Sequence, residues 1–402
     1  MRFVQVTLWL TFLLLGGKQL QSWSTAPEST TKPSLRSNLG QIISPASSPW
    51  ARNLQLRPLE ALARFQPAIT PPNKRSWPTQ NRLSLPLELS VRKIENDSDK
   101  SETETWSYAS QHFEFVSDAP LGDQAVREFT ALFELTHLYC SRLPFQLARL
   151  QTGEQKPMKV RLIEDYSHYL REGGTRGSGG IYLTNPDLIL VPFEGLGLEK
   201  KSANYALDRN RSNQTLMHEA THMMMRGPLL KDGWFVEGSA EYVATIPIQE
   251  NTLLLANHRE SIVSYVTSYG FDNGGGHNLG SELNLAPLQT FMECDYRKFQ
   301  KIKNSYPYSL LVFHYFAHSD GEGDAARLKA YAQALNAGAD NSTALKKLLA
   351  GRDYKTLERL LTNTWRENGI TLTFGSTLPS RDLKVEADLV LSHSQAVDSL
   401  AF

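Results

Sequence analysis

The segment His218-Glu219-Ala220-Thr221-His222 constrains this chain more than any other part of it. Two histidines four apart act together only on a helix, where residues at that spacing lie one above the other on a single face. Ser212 or Asn213 supplies a cap for such a helix and Gly227-Pro228 a stop, so the intervening stretch is predicted to be one helix. On it the two imidazoles reach a single Zn²⁺ at about 2.0–2.1 Å. Glu219 then stands beside the ion rather than on it, where a carboxylate can take a proton from water. Zinc in hydrolases takes three protein ligands and keeps one position open, so a third ligand must follow.

Glu237 is the candidate. It lies in Trp234-Phe235-Val236-Glu237-Gly238-Ser239-Ala240-Glu241-Tyr242, which follows an Asp232-Gly233 turn and reads as a second helix. Gly238 and Ala240 remove bulk, as close approach to another helix requires, and Glu241 lies one turn beyond Glu237 on the same face. Other clusters are weaker. His314 and His318 also sit four apart, but no acidic residue near them is placed as Glu237 is. His137 with Cys140 reads as one helix face rather than a ligand pair, and Met223-Met224-Met225 as core packing rather than a copper site.

The two segments together resemble the gluzincin superfamily of zinc peptidases, and within it secreted bacterial peptidase-MA-like domains with a W-x-x-E-G-x-A-E-Y signature. The resemblance is strongest over residues 212–245 and extends over about 109–370. It implies a thermolysin-like zincin core, with a small twisted sheet, the active-site helix and a mostly helical second half. It also implies that His218, His222 and Glu237 hold one Zn²⁺, that Glu219 is the catalytic base, and that Glu241 takes the place of an acidic residue bonded to the first zinc histidine. The gap between His222 and Glu237 is shorter than in thermolysin, so the intervening loop differs. Hydrolysis also needs a donor for the developing oxyanion. Tyr306-Pro307-Tyr308-Ser309 is similar to a Tyr-x-x-Ser segment that opens a later helix in these domains, which makes Tyr306 the first candidate and Tyr308 the second. Tyr182 is predicted to lie on a strand along the cleft, where an extended substrate could pair with it.

The rest of the chain divides around this domain. Residues 1–24 read as a secretory signal: a positive Met1-Arg2, an apolar run Phe3–Leu15 and small residues near Ser22 and Ser24. As a helix that run spans roughly 20 Å, short of the ~30 Å hydrocarbon core, so an uncleaved anchor is the weaker reading. Residues 25–85, rich in Ser and Pro, are expected to be mostly linker, with one apolar patch at Leu54, Leu56, Leu59, Leu62 and Phe65. The catalytic domain is expected over 86–375 and a partly ordered tail over 376–402.

Within 86–375 the fold class is predicted as α+β, strands first and helices after. Leu87, Leu89 and Val91 alternate, as do Phe113 and Phe115. A helix follows over 121–143, a strand over 159–163 and a short helix over 165–170. The glycine-rich turn 173–180 leads into a hairpin of 181–183 and 188–191 rather than into a helix, which argues against a phosphate loop. Helical spacing returns over 308–318, 325–337, 342–349 and 354–368.

Partners follow from charge. With 42 basic and 42 acidic residues among 402, no field draws the chain to nucleic acid or an anionic membrane. The expected partner is a peptide or protein substrate met outside the cytoplasm, in the periplasm or beyond. Two other readings stay open: a binding module in which zinc only joins two helices, and a zinc hydrolase of a non-protein amide such as a cell-wall peptide. Two cysteines, Cys140 and Cys294, suit either one bridge or two thiols.

Overall fold

Alternating apolar residues build the first half of the structure and helical spacing the second. The structure, a computed structural model, describes residues 81–85, 92–94, 105–145, 147, 156–201, 204–208, 214–225, 227–268 and 276–375. The expected signal peptide, the expected linker up to residue 80 with its apolar patch, the strand at 87–91, the caps Ser212 and Asn213, and the tail beyond 375 lie outside the described residues.

The main sheet contains β2 (Arg92–Ile94), β3 (Trp106–Ala109), β4 (Phe113–Ser117), β5 (Met158–Ile163), β6 (Ile181–Thr184) and β7 (Asp187–Pro192), in the order β2-β3-β4-β5-β7-β6. Its centre is parallel, β4 with β5 and β5 with β7, while both flanks are antiparallel. The expected hairpin is the β6–β7 pair, and β6 forms an edge of the sheet. Along β4 the side chains alternate, so Phe113 and Phe115 face α1 (Asp123–Cys140) and meet Phe129 and Phe133 at ring separations of 5.0 to 5.3 Å. On the opposite face Ile163, Tyr169, Ile181 and Leu190 form a smaller cluster beneath α2 (Tyr166–Arg171).

The glycine-rich turn before β6 serves packing. A Cβ added to Gly195, in the short α3 (Phe193–Leu196), would fall on the carbonyl oxygen of Gly179, so the backbones meet where no side chain fits. The chain continues through a hairpin of β8 (Leu198–Lys201) and β9 (Asn204–Leu207) into α4 (Gln214–Met225). A 3₁₀ turn at Gly227–Lys231 then reverses it into α5 (Gly233–Ala244). β10 (Ile248–Gln249) and β11 (Thr252–Leu253) join β1 (Leu83–Ser84) in a small antiparallel sheet.

The second half holds α6 (His258–Thr267), β12 (Glu282–Leu285), α7 (Leu288–Glu293), α8 (Tyr296–Lys301), α9 (Ser305–His318), α10 (Ala326–Asn336), α11 (Asn341–Leu349), α12 (Tyr354–Arg366) and β13 (Thr371–Phe374). Aspartates start several helices: Asp165, Asp295, Asp340 and Asp353 each accept a backbone N–H three residues on. β12 and β13 pair in parallel, a contact absent from the sequence expectations. α4 packs on α1, β6 and β7, while α5 lies against α4 and α9. One continuous core runs from Phe113 in the sheet to Trp365 in α12. The architecture is mixed, of the α+β kind. Among the described residues no helix is long and apolar enough to cross a membrane.

Candidate metal centre

From Leu216 to Met225 every residue of α4 is buried, and so is every residue of α5. A helix enclosed on all sides is expected to be apolar throughout, and each polar exception must find a partner. Thr221 and Ser239 find theirs on their own helices, donating at 2.7 Å to the carbonyls of Met217 and Phe235. The other exceptions are His218, Glu219 and His222 on α4 with Glu237 and Glu241 on α5, all at most 2% exposed. They face one another across the helix pair.

Three of their atoms converge. Nε2 of His218 and Nε2 of His222 are 2.8 Å apart, and Oε2 of Glu237 lies 3.1 Å from the first and 3.4 Å from the second. Neighbouring ligands of a tetrahedral zinc at about 2.0–2.1 Å stand roughly 3.3–3.4 Å from each other, so the triangle is close to the size the ion requires. The imidazole planes cross at 85°, which lets both in-plane lone pairs aim at one point. Two ring nitrogens and a carboxylate oxygen are the donor set of a His₂Glu zinc site, and these residues fit one.

The surrounding groups hold the three in place. Nδ1 of His218 lies 3.2 Å from Oε1 of Glu241, and Oε2 of Glu241 lies 3.7 Å from Nε2 of His277. Burial opposes the charge on Glu241, yet the bonds and charges of His218 and His277 outweigh it and bring its pKa down to about 2. Tyr265 is also bonded to Glu241. At Glu237 burial is again overcome, by His222 and His218, and the carboxyl is held well below the usual range. Its second oxygen, Oε1, accepts a 2.6 Å bond from the hydroxyl of Tyr296. Sequence reasoning missed Tyr296, His277 and Tyr265, which come from α8, the segment before β12, and α6.

Glu219 differs from its neighbours. Its Oε2 accepts the backbone N–H of Tyr182 at 2.7 Å, whereas Oε1 is buried with no hydrogen-bond partner among the described residues. Burial pushes its pKa up, and the two histidines offset only part of that rise. Tyr182 is on the edge strand β6 as expected, with its hydroxyl donating to Asp187 at 2.8 Å. Tyr306, in the first turn of α9, has its ring 6.2 Å from that of His218 and is bonded to Tyr296. Burial first, then Glu237 and the other carboxylates, raise the pKa of its hydroxyl well above the ordinary tyrosine value. Tyr308 is not part of this group: its ring stacks on Phe291 at 3.7 Å and its hydroxyl donates to the carbonyl of Ala286.

Elsewhere, His314 and His318 join His258 in the core around Tyr242, and among the described residues they form no ligand set with an acidic residue. Met223, Met224 and Met225 are fully buried. Cys140 and Cys294 are both free thiols, which settles the question their number left open. No protein-family model matches the chain, and no curated protein matches it either.

Proposed function

We propose that this chain is a zinc-dependent metallopeptidase of the gluzincin type, exported from the cytoplasm and acting on a peptide or protein substrate. The observation that carries the reading is the convergence of His218, His222 and Glu237 on one point, with a half-partnered Glu219 beside it. Zinc bound at that point supplies a Lewis acid that acidifies water and polarises a carbonyl. The chain's own residues do the rest. The amide of Tyr182 fixes one oxygen of Glu219 and leaves the other to accept a proton from water. Its raised pKa brings that carboxylate nearer the range in which a group both takes a proton and returns it, here to the departing amine. The hydroxyl of Tyr306 stays protonated and is a donor for the oxyanion of a substrate carbonyl. Export rests on the composition of residues 1–24.

The test begins with the zinc content of protein expressed from Thr25. About one zinc per chain, lost in Glu237→Ala, is expected. Glu219→Gln should keep the zinc and abolish cleavage of a peptide library. Zinc binding without any Glu219-dependent cleavage would favour the binding module. Cleavage confined to cell-wall peptides or amide-linked glycans would move the substrate class and leave the mechanism in place.

A further inference from the structure

A second set of metal-type donors stands away from α4 and α5. His112 lies in the turn between β3 and β4, while Glu134 and His137 lie three apart on α1, the helix that the turn approaches. One donor atom from each falls within 4.8 Å of those of the other two. Although His137 and Cys140 share a helix, the fold places the His137 ring against His112.

We propose that His112, Glu134 and His137 form a second binding site for a divalent transition-metal ion of the zinc class, pinning the β3–β4 turn to α1. The donor set is two imidazoles and one carboxylate, which suits zinc and its neighbours rather than calcium or magnesium. Glu134 is 3% exposed, so its charge is buried and needs strong partners. Its Oε1 is held by the hydroxyl of Ser110 at 2.6 Å and by the backbone N–H of His112 at 2.9 Å. Those bonds aim Oε2 at Nδ1 of His112, 2.6 Å away. This is the support from behind that metal-binding carboxylates receive. Among the described residues neither ring nitrogen of His137 has a hydrogen-bond partner. The side chain of His112 is 32% exposed, which gives an ion a way in and leaves room for water ligands.

Binding has a definite structural cost. The ion takes the place of the proton shared by His112 and Glu134, so their 2.6 Å contact opens to roughly 3.3 Å, the spacing of ligands on a tetrahedral zinc. The rings of His112 and His137, now stacked 3.6 Å apart and 19° from parallel, tilt away from each other so that both lone pairs meet the ion. The ring of His112 turns about its own side-chain bonds while its backbone stays held, the carbonyl by the N–H of Met158 and the N–H by Oε1 of Glu134.

Zinc titration of the metal-stripped full chain tests this. A first, tight equivalent is expected at α4 and α5, followed by a weaker second one. His112→Gln and His137→Gln should each lose the second equivalent and keep the first, while Glu237→Ala does the reverse. Near-ultraviolet circular dichroism checks that each variant is folded. A readout on the unaltered protein runs alongside: diethyl pyrocarbonate modification of His112, followed by mass spectrometry, should be blocked when zinc fills the second equivalent. A second equivalent that survives both histidine variants overturns the proposal. So does its absence from the unaltered chain, or modification of His112 that zinc leaves unchanged.

Discussion

The hydroxyl of Tyr296 occupies one oxygen of Glu237 and so leaves the other to face the two histidines. Without that bond the carboxylate is free to turn or to present both oxygens, and the three donors lose their common aim. Tyr296→Phe is therefore expected to weaken zinc binding about 10–100-fold while the fold is retained, as competition with a chelator will measure. Unchanged affinity would dismiss the role. His218, Glu219, His222 and Glu237 were legible in the sequence because their spacing on two helices is itself the signal. Tyr296, His277 and Tyr265 carry no such spacing, since tertiary packing brings each from a different element. The pair Tyr306 and Tyr308 shows the limit of a motif. Residues two apart on a helix point roughly 200° apart, so only one of the pair can face His218, and the other stacks on Phe291.

Between α5 and α9 the backbones come so close that a Cβ on Gly238 would lie 2.7 Å from the carbonyl oxygen of Ser309 and 3.1 Å from Cβ of Phe313. Neither helix can yield alone, because both are buried. Gly238→Ala is expected to cost about 1–3 kcal/mol through overpacking, read as a lower Tm, and to weaken zinc binding by displacing Glu237 next to it. Loss of stability with unaltered zinc affinity would show that the ligand is positioned independently of this contact. The small residues at 238 and 240 told of a close approach in advance, but nothing local named α9 as the neighbour. The pairing of β12 with β13 was less legible still: four-residue strands give too short a pattern, and their partners are remote in sequence.

The molecule as a whole encloses a group of histidines that the candidate metal centre does not use. His258, His314 and His318 surround Tyr242, whose hydroxyl is 2.8 Å from Nε2 of His318, and Arg259 adds positive charge nearby. Burial, then the neighbouring positive groups, hold His258 and His318 down at about 3 and His314 well below its ordinary value. In an unfolded chain each titrates near 6.5, so between the two values the folded state binds fewer protons. Stability from these groups is complete above about pH 6.5 and is lost as the pH falls toward 3. Tm is expected to drop between pH 7 and 4. His314→Phe, which keeps the aromatic contact with Trp365 and removes one titrating ring, should flatten the drop. An unchanged slope would place the acid sensitivity elsewhere. The parallel pairing of Glu282–Leu285 with Thr371–Phe374 bears on the order in which the molecule forms, because all the helices from α7 to α12 lie in the loop that it closes. Such a contact forms late and slowly, after the strand at 371 has been synthesised. His218 and His222 leave the ribosome well before Tyr296 and Tyr306, so a nascent chain carries the motif before it has the helices that pack around it.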